Sequence, residues 1–303
     1  MTEFGDEAGA DLAPLRAVAD ALLYEGYQLH PCRESSPRNV ARRQSGVLAP
    51  RPWVERDGPV AAVVAGSVES WRQQTECVVE AREGDDVTLR ARIRFLQAQG
   101  KSVEQRGPGG RYTGVESLDV GGTRHLSFDE AVPHEADLVV PFGELVEDGF
   151  TAGIGAPSGE ETSSLGAVGR VVRRRWPLEA VARLRAEPVE GQDGVYRLRV
   201  RIENTNTTIG PGASRAVALR QALIATHTLL GGRGLRFVSL LKPPEWARRP
   251  VAACQNIHTF PVLAGPYGSR EHLLSAPIPL YDYPRTTPCS GGDRRDATEP
   301  LPA

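Results

Sequence analysis

Two histidines and two cysteines are the residues of this sequence whose side chains are best suited to bind a metal ion. His30 and Cys32 stand two residues apart, and Cys254 and His258 stand four apart. Imidazole and thiolate are ligands of tetrahedral zinc, so the four residues together form a candidate zinc site. Structural zinc sites usually pair cysteine with cysteine and histidine with histidine at short spacing, and that pattern is missing here. Four unrelated loop residues are the alternative interpretation.

Cys254 is also a candidate nucleophile. A reactive thiolate needs a base and an orienting group, and His258 and Asn256 follow it within four residues. The partners of such cysteines usually come from distant parts of the chain, so a small buried thiol is the alternative. His227 has the spacing of an apolar helix face, where a core histidine and a catalytic base both stay open.

Arginines form a third candidate site. Arg33 and Arg42 lie in a segment that also holds Arg38, Arg43 and Arg51. Guanidinium groups bind carboxylates and other anions through paired hydrogen bonds. The segment is therefore either a contact for an anion or an acidic protein surface, or a solvated loop whose arginines pair with acidic residues elsewhere.

Composition removes several classes of function. The 303 residues carry 36 basic and 38 acidic side chains, a net charge of −2 that gives no general attraction to nucleic acid or anionic membrane. No apolar run is long enough to cross a membrane, and no secretory signal is recognisable. Four cysteines without a Cys-x-x-Cys pair indicate a reduced, cytoplasmic setting. Phosphate-binding loops, dinucleotide-binding glycine motifs and hydrolase elbows are also missing.

The hydrophobic pattern predicts an α+β protein of antiparallel, strand-rich sheets packed with a few helices. Residues 76–82 and 87–95 are expected to form a hairpin, and 168–176, 178–186 and 195–202 are expected to be strands. Helices are predicted over 11–24 and 214–230, a short helix is predicted to begin at Ser127, and 151–166 reads as a mobile loop.

Domain organisation follows from these elements. Residues 12–150 form a predicted N-terminal half with one helix and several strands, and 167–283 form a C-terminal α+β half. Residues 1–11 and 284–303 are polar and are predicted to be disordered tails.

Several segments together resemble a bacterial protein family whose genes lie beside those of uptake NiFe hydrogenases and their maturation factors. The resemblance runs from about residue 15 to 285. It rests on residues 21–27, 33–39, 46–48, 128–132, 169–174, 240–247, 254–256, 259–263, 275–278 and 281–284. The resemblance implies a link to hydrogenase assembly through gene neighbourhood alone.

Two functional hypotheses result. The first is a non-enzymatic accessory protein that binds a hydrogenase subunit or a maturation factor. Arg33, Arg42, Glu245 and Trp246 would then contact the partner, because exposed arginine and tryptophan are frequent interface anchors. The second is a metal-handling protein or an enzyme of unknown substrate that uses Cys254, His258, His30 and Cys32.

Overall fold

The computed structural model describes residues 12–25, 45–60, 69–82 and 86–285. Its α-helices are α1 (Arg16–Glu25), α2 (Arg51–Val54), α3 (Phe142–Glu147), α4 (Arg215–Leu219) and α5 (Arg248–Ala252), and 3₁₀ turns lie at Ala13–Leu15, Pro108–Gly110 and Glu245–Ala247. Its strands are β1 (Arg72–Ala81), β2 (Thr88–Arg106), β3 (Tyr112–Val115), β4 (Ser117–Val120), β5 (Thr123–Leu126), β6 (Phe128–Pro141), β7 (Phe150–Gly153), β8 (Gly159–Ser164), β9 (Gly169–Arg175), β10 (Ala180–Pro188), β11 (Val195–Asn204), β12 (Ile224–Arg233), β13 (Leu235–Phe237), β14 (Phe260–Ala264) and β15 (His272–Ala276). Strands therefore dominate the described chain, and the predicted α+β class is confirmed.

Two large antiparallel sheets build the molecule. The smaller has five strands in the order β13-β1-β11-β10-β7. The larger has eight, with β14-β15-β12-β2-β9-β8 in one path and β3 and β6 also paired to β2. A separate hairpin joins β4 to β5. Both large sheets combine strands from residues 12–150 with strands from residues 167–283.

The sheets pack face to face over an apolar core. Cys77 and Leu198 of the five-stranded sheet and Leu89 and Ile93 of the eight-stranded sheet are fully buried in one cluster. Because side chains alternate along a strand, each sheet turns its other face outward. Helix α1 covers part of the outer face of the larger sheet, where Leu15 joins residues of β12, β14 and β15 in a second cluster.

The predicted hairpin between residues 76–82 and 87–95 is wrong. Both segments are strands, but β1 pairs with β11 and β13, whereas β2 pairs with β3, β6, β9 and β12. β1 and β2 face each other across the core instead of lying edge to edge. A clean alternation of side chains identifies a strand with one buried face, and it carries no information about the neighbouring strand.

Two local predictions fail because distant pairing overrides them. Ser127 does not cap a helix: its hydroxyl donates to the Val115 carbonyl and accepts from the Val103 N–H, and β6 begins at the next residue. Residues 151–166 are not a loop throughout, since they hold most of β7 and all of β8. β6 runs beside β2 for its whole length, and no other described strand pairs with it.

The long helix predicted over 214–230 is also wrong. Ser214 accepts a hydrogen bond from the Val217 N–H as a helix cap, but α4 ends at Leu219 and β12 starts at Ile224. The first eight residues of β12 are all buried, so the strand shows no alternation that would reveal it. Gly232, just after the predicted helix, lies within β12, where a Cβ would come 2.1 Å from the Thr88 carbonyl oxygen.

Other elements match their predictions. α1 covers most of the helix expected over 11–24, and β9, β10 and β11 occupy the three strands expected between 168 and 202. A 3₁₀ turn begins at Glu245. Of the predicted tails at 1–11 and 284–303, residues 1–11 and 286–303 lie outside the described residues.

Candidate partner-binding surface

Four of the predicted site residues lie outside the part of the chain that the structure describes. They are His30, Cys32, Arg33 and Arg42. Their assigned roles as metal ligands and partner contacts remain predictions. The other four, Glu245, Trp246, Cys254 and His258, fall in one stretch that crosses the outer face of the five-stranded sheet.

Cys254 has the surroundings of an inert thiol. It is partly buried just after α5, and its Sγ donates to the Pro250 carbonyl oxygen at 3.5 Å. Burial, reinforced by the nearby Glu76 carboxylate, raises the pKa of Cys254 to about 12. The thiol is therefore protonated at neutral pH, which is unfavourable for a nucleophile and for a metal ligand alike.

His258 is held by its backbone more than by its ring. It is buried, adopts a left-handed φ of 53°, and its carbonyl accepts a hydrogen bond of 3.0 Å from the Gln73 amide. Burial and then the charge of Arg72 lower the pKa of His258. Within the described residues, no group of three or more His, Cys, Asp and Glu side chains could hold a metal ion.

His227 has the character of a core residue. It lies in β12, its Nδ1 is 2.8 Å from the Ala225 carbonyl oxygen, and burial lowers its pKa to about 4. A neutral, fully buried ring has no route to a substrate in solution. The core interpretation is therefore the better supported of the two.

Glu245 and Trp246 are both exposed on the turn that precedes α5. The next residue, Ala247, is fully buried against Val78 and Val238, and this contact fixes the turn on the outer face of the five-stranded sheet. Trp246 leaves 40% of its surface exposed. This is the environment expected of an interface anchor.

The same sheet face carries a set of arginines that we call the arginine face. Residues paired across antiparallel strands share a face, and the registers of β1, β10 and β11 place these side chains together opposite the core. The set comprises Arg72, Arg183, Arg185, Arg197, Arg199 and Arg201, with Glu76, Glu80, Glu187 and Glu203 among them. Six cations stand against four carboxylates, although the whole chain is acidic by two charges. Glu80 pairs with Arg270, which lies outside the set.

Each carboxylate of the arginine face is already engaged. Glu187 accepts from Arg197 at 2.5 Å, a hydrogen bond that holds the pKa of Glu187 below its usual value. Glu203 pairs with both Arg201 and Arg183. Positive charge is consequently left over, and the side chains of Arg183 and Arg185 are 51% and 52% exposed to meet a partner.

Glu76 connects the arginine face to the stretch that carries Trp246. Its carboxylate is only 1% exposed and accepts from the Arg199 Nε at 2.6 Å and from the Gln255 N–H at 2.7 Å. The Glu76 N–H in turn donates to the Asn256 side chain. Glu76 of β1 thereby holds both Arg199 of the arginine face and the segment that follows α5.

Sequence reasoning missed the arginine face although its parts were visible. Arginine alternates with apolar residues in β10 and β11, a pattern typical of a strand with one wet face. β10 and β11 alone bring together five of these arginines and two of the glutamates. The register of β1 on β11, which adds Arg72 and Glu76, depends on contacts between residues more than a hundred positions apart, such as Glu76 and Arg199.

Comparison with known proteins does not identify the chain: no family model matches it, and no curated protein is significantly similar to it. In the described ranges, none of the helices has the length and apolar character needed to span a membrane.

Proposed function

We propose that this protein is a non-enzymatic accessory protein that binds an acidic surface of a protein partner through the arginine face and the Trp246 turn. The observation that carries the proposal is the excess of positive charge on the outer face of the five-stranded sheet. Arginine and tryptophan are enriched among the residues that dominate binding energy at interfaces. Complementary charge increases the rate of encounter and restricts the choice of partner.

The partner we propose is a subunit or maturation factor of a NiFe hydrogenase. Support comes from the resemblance described for the sequence, which includes residues 240–247 and 254–256. These segments contain Trp246 and Asn256, and the Asn256 side chain accepts a hydrogen bond from the Glu76 N–H of the arginine face. The physical case requires only an acidic partner surface, and the resemblance supplies its identity.

A Cys/His-dependent metal-handling protein or enzyme is less well supported by the described residues. The raised pKa of Cys254 and the lowered pKa of His258 both favour the neutral forms. The neutral imidazole of His258 is the form that binds zinc, but the Cys254 thiol would have to lose its proton, and these two side chains would need further ligands to join them. His30 and Cys32 are the residues that would have to do so.

The test is a tagged pull-down from cells that express the hydrogenase, with metal analysis of the same eluate. We expect a hydrogenase subunit or maturation factor in the eluate at low salt and less of it at high salt, because salt screens exposed charges. Charge reversal of Arg183 and Arg185 to Glu should abolish capture. Arg174→Glu is the matched control, since Arg174 is 57% exposed on the other sheet.

Two results would overturn the proposal. One is capture that is equal for the wild type and the Arg183→Glu, Arg185→Glu variant. The other is stoichiometric metal on this chain with no protein partner, which would favour the metal-handling function of the cysteine and histidine residues.

A further inference from the structure

Trp71 lies at one end of the arginine face and is surrounded by guanidinium groups. The guanidinium carbons of Arg51, Arg72 and Arg201 are 4.4, 5.0 and 5.9 Å from its ring centroid. The indole is 9% exposed, and its Nε1 donates to the Glu55 carboxylate at 2.9 Å. Trp71 therefore forms a fixed floor on which arginines are stacked.

The arginines at this floor differ in how well they are paired. Arg51 donates to Glu55 at 2.8 Å, and Arg201 lies 2.5 Å from Glu203. In the described parts of the chain, no carboxylate lies within ion-pair distance of Arg72, and its guanidinium makes no hydrogen bond. Arg72 is thus a cation of intermediate exposure without a direct ion pair: Glu203, its cross-strand partner, pairs with Arg201 and Arg183, and Glu55 hydrogen-bonds to Arg51 and Trp71.

Repulsion within the cluster is visible at Arg201. Burial lowers the pKa of Arg201, and Arg72, Arg183, Arg199 and Arg51 lower it further. The Arg201 Nε is also buried without a hydrogen-bond acceptor. A group that supplied negative charge and acceptor oxygens here would relieve both deficits.

We propose that Trp71, Arg72, Arg183 and Arg201 form an oxyanion-binding site. The rigid fork of guanidinium donors matches a phosphate or carboxylate group, and stacking on an aromatic ring pre-orients the fork. Arg183, which is 51% exposed, gives the site an opening to solvent. Trp71 excludes water from one side and makes each remaining charge contact stronger.

Two sources can supply the oxyanion. One is a free phosphate group. The other is a carboxylate of the acidic partner, in which case the site is the specific contact within the arginine face and rests on the proposed function. The chemistry of the site is the same for both.

The site is tested by calorimetric titration of the full chain at constant ionic strength with two probes, inorganic phosphate and a short oligoglutamate peptide. We expect saturable binding of at least one probe to the wild type. Arg72→Gln should weaken it by about tenfold or more, the effect of removing one charge-assisted hydrogen bond. Arg183→Gln, at an exposed position, should weaken it as well and guards against a folding defect in the first variant.

Arg56→Gln provides the matched control. Arg56 stacks on Trp53 at 4.3 Å and is paired with Asp57, so it resembles the site arginines without belonging to the site. Phosphate binding that needs Arg72 assigns a free oxyanion, and peptide binding alone assigns a carboxylate of the partner. Absence of binding by either probe, or equal binding by wild type and Arg72→Gln, overturns the site. A failed pull-down with intact phosphate binding would reject only the proposed partner.

Discussion

Replacement of Glu76 by glutamine should lower the stability of this protein and, at the same time, strengthen its binding of an acidic partner. The Glu76 carboxylate is buried and accepts two short hydrogen bonds, from Arg199 and from the Gln255 N–H. Glutamine keeps one acceptor oxygen but places an NH₂ group against one of these two donors. It also leaves Arg199, whose side chain is 34% exposed, without its closest counter-charge.

The expected loss of unfolding free energy is about 2–3 kcal/mol. Hydrogen bonds to charged groups contribute about 1.5–3 kcal/mol each, and the partial exposure of Arg199 reduces its share because solvent screens the pair. For a chain of this size, each kcal/mol lowers Tm by about 2–4 °C, so the variant should melt roughly 5–10 °C below the wild type. Urea denaturation followed by circular dichroism measures the free energy directly.

The same substitution should strengthen binding of an acidic partner while the protein stays folded. Removing the Glu76 charge leaves six arginines against three carboxylates on the arginine face. Glu190→Gln is the control, because Glu190 is exposed in the turn between β10 and β11. Equal stabilities for both variants would show that Glu76 does not fix the arginine face to the segment after α5, and weaker partner binding by Glu76→Gln would contradict the charge reasoning.

Three further outcomes are expected. Burial raises the pKa of Asp137, but hydrogen bonds from two strand arginines outweigh it and lower the pKa from its ordinary 3.8. This carboxylate therefore stabilises the fold above pH 3.8, and its contribution is lost as the pH falls through the lowered pKa. Asp137→Asn should therefore cost stability at pH 7 and much less at pH 2, measured as the difference in unfolding free energy at the two pH values. Gly100→Ala should destabilise the protein by about 1–2 kcal/mol, because the new Cβ would lie 2.9 Å from the Trp176 ring. Gly210→Ala is the control, since its Cβ would enter open space. Equal Tm values for the two variants would refute the clash. Iodoacetamide at pH 8 should alkylate Cys254 far more slowly in the folded chain than in urea, because the pKa of Cys254 in the fold is about 12. Peptide mapping measures the labelling. Rapid labelling of the folded chain would support Cys254 as a nucleophile.

Local pattern was sufficient for some elements and insufficient for others. α1 has an apolar stripe that packs on a sheet, and β11 alternates arginine with core residues, so both could be predicted from the sequence. β12 could not, because a strand buried on both faces has the same composition as a buried helix. Its threonines at 226 and 228 were the one local indication of a strand.

The residue types of the candidate site could be predicted from the sequence, but the positions of those residues in the fold could not. Arginine and tryptophan as partner contacts were expected, and Trp246 lies on the surface as predicted. The arginines that could be located, however, come from β1, β10 and β11, and their shared face depends on strand registers that no local pattern encodes. The cysteine and histidine site stays a prediction, because His30 and Cys32 lie outside the described residues. Its proximity in sequence gave no information about burial, which raises the pKa of Cys254.

The free edge of β6 has a consequence for how copies of this molecule meet. A long unpaired strand edge invites a second strand to add by backbone hydrogen bonds, and such additions lead to aggregates. Here Pro133 lacks an N–H in the middle of the strand, and Glu135 and Asp137 form ion pairs with Arg92 on the neighbouring strand. An incoming strand would have to dehydrate those pairs and would gain an incomplete ladder in return. Self-association through this edge is thereby discouraged.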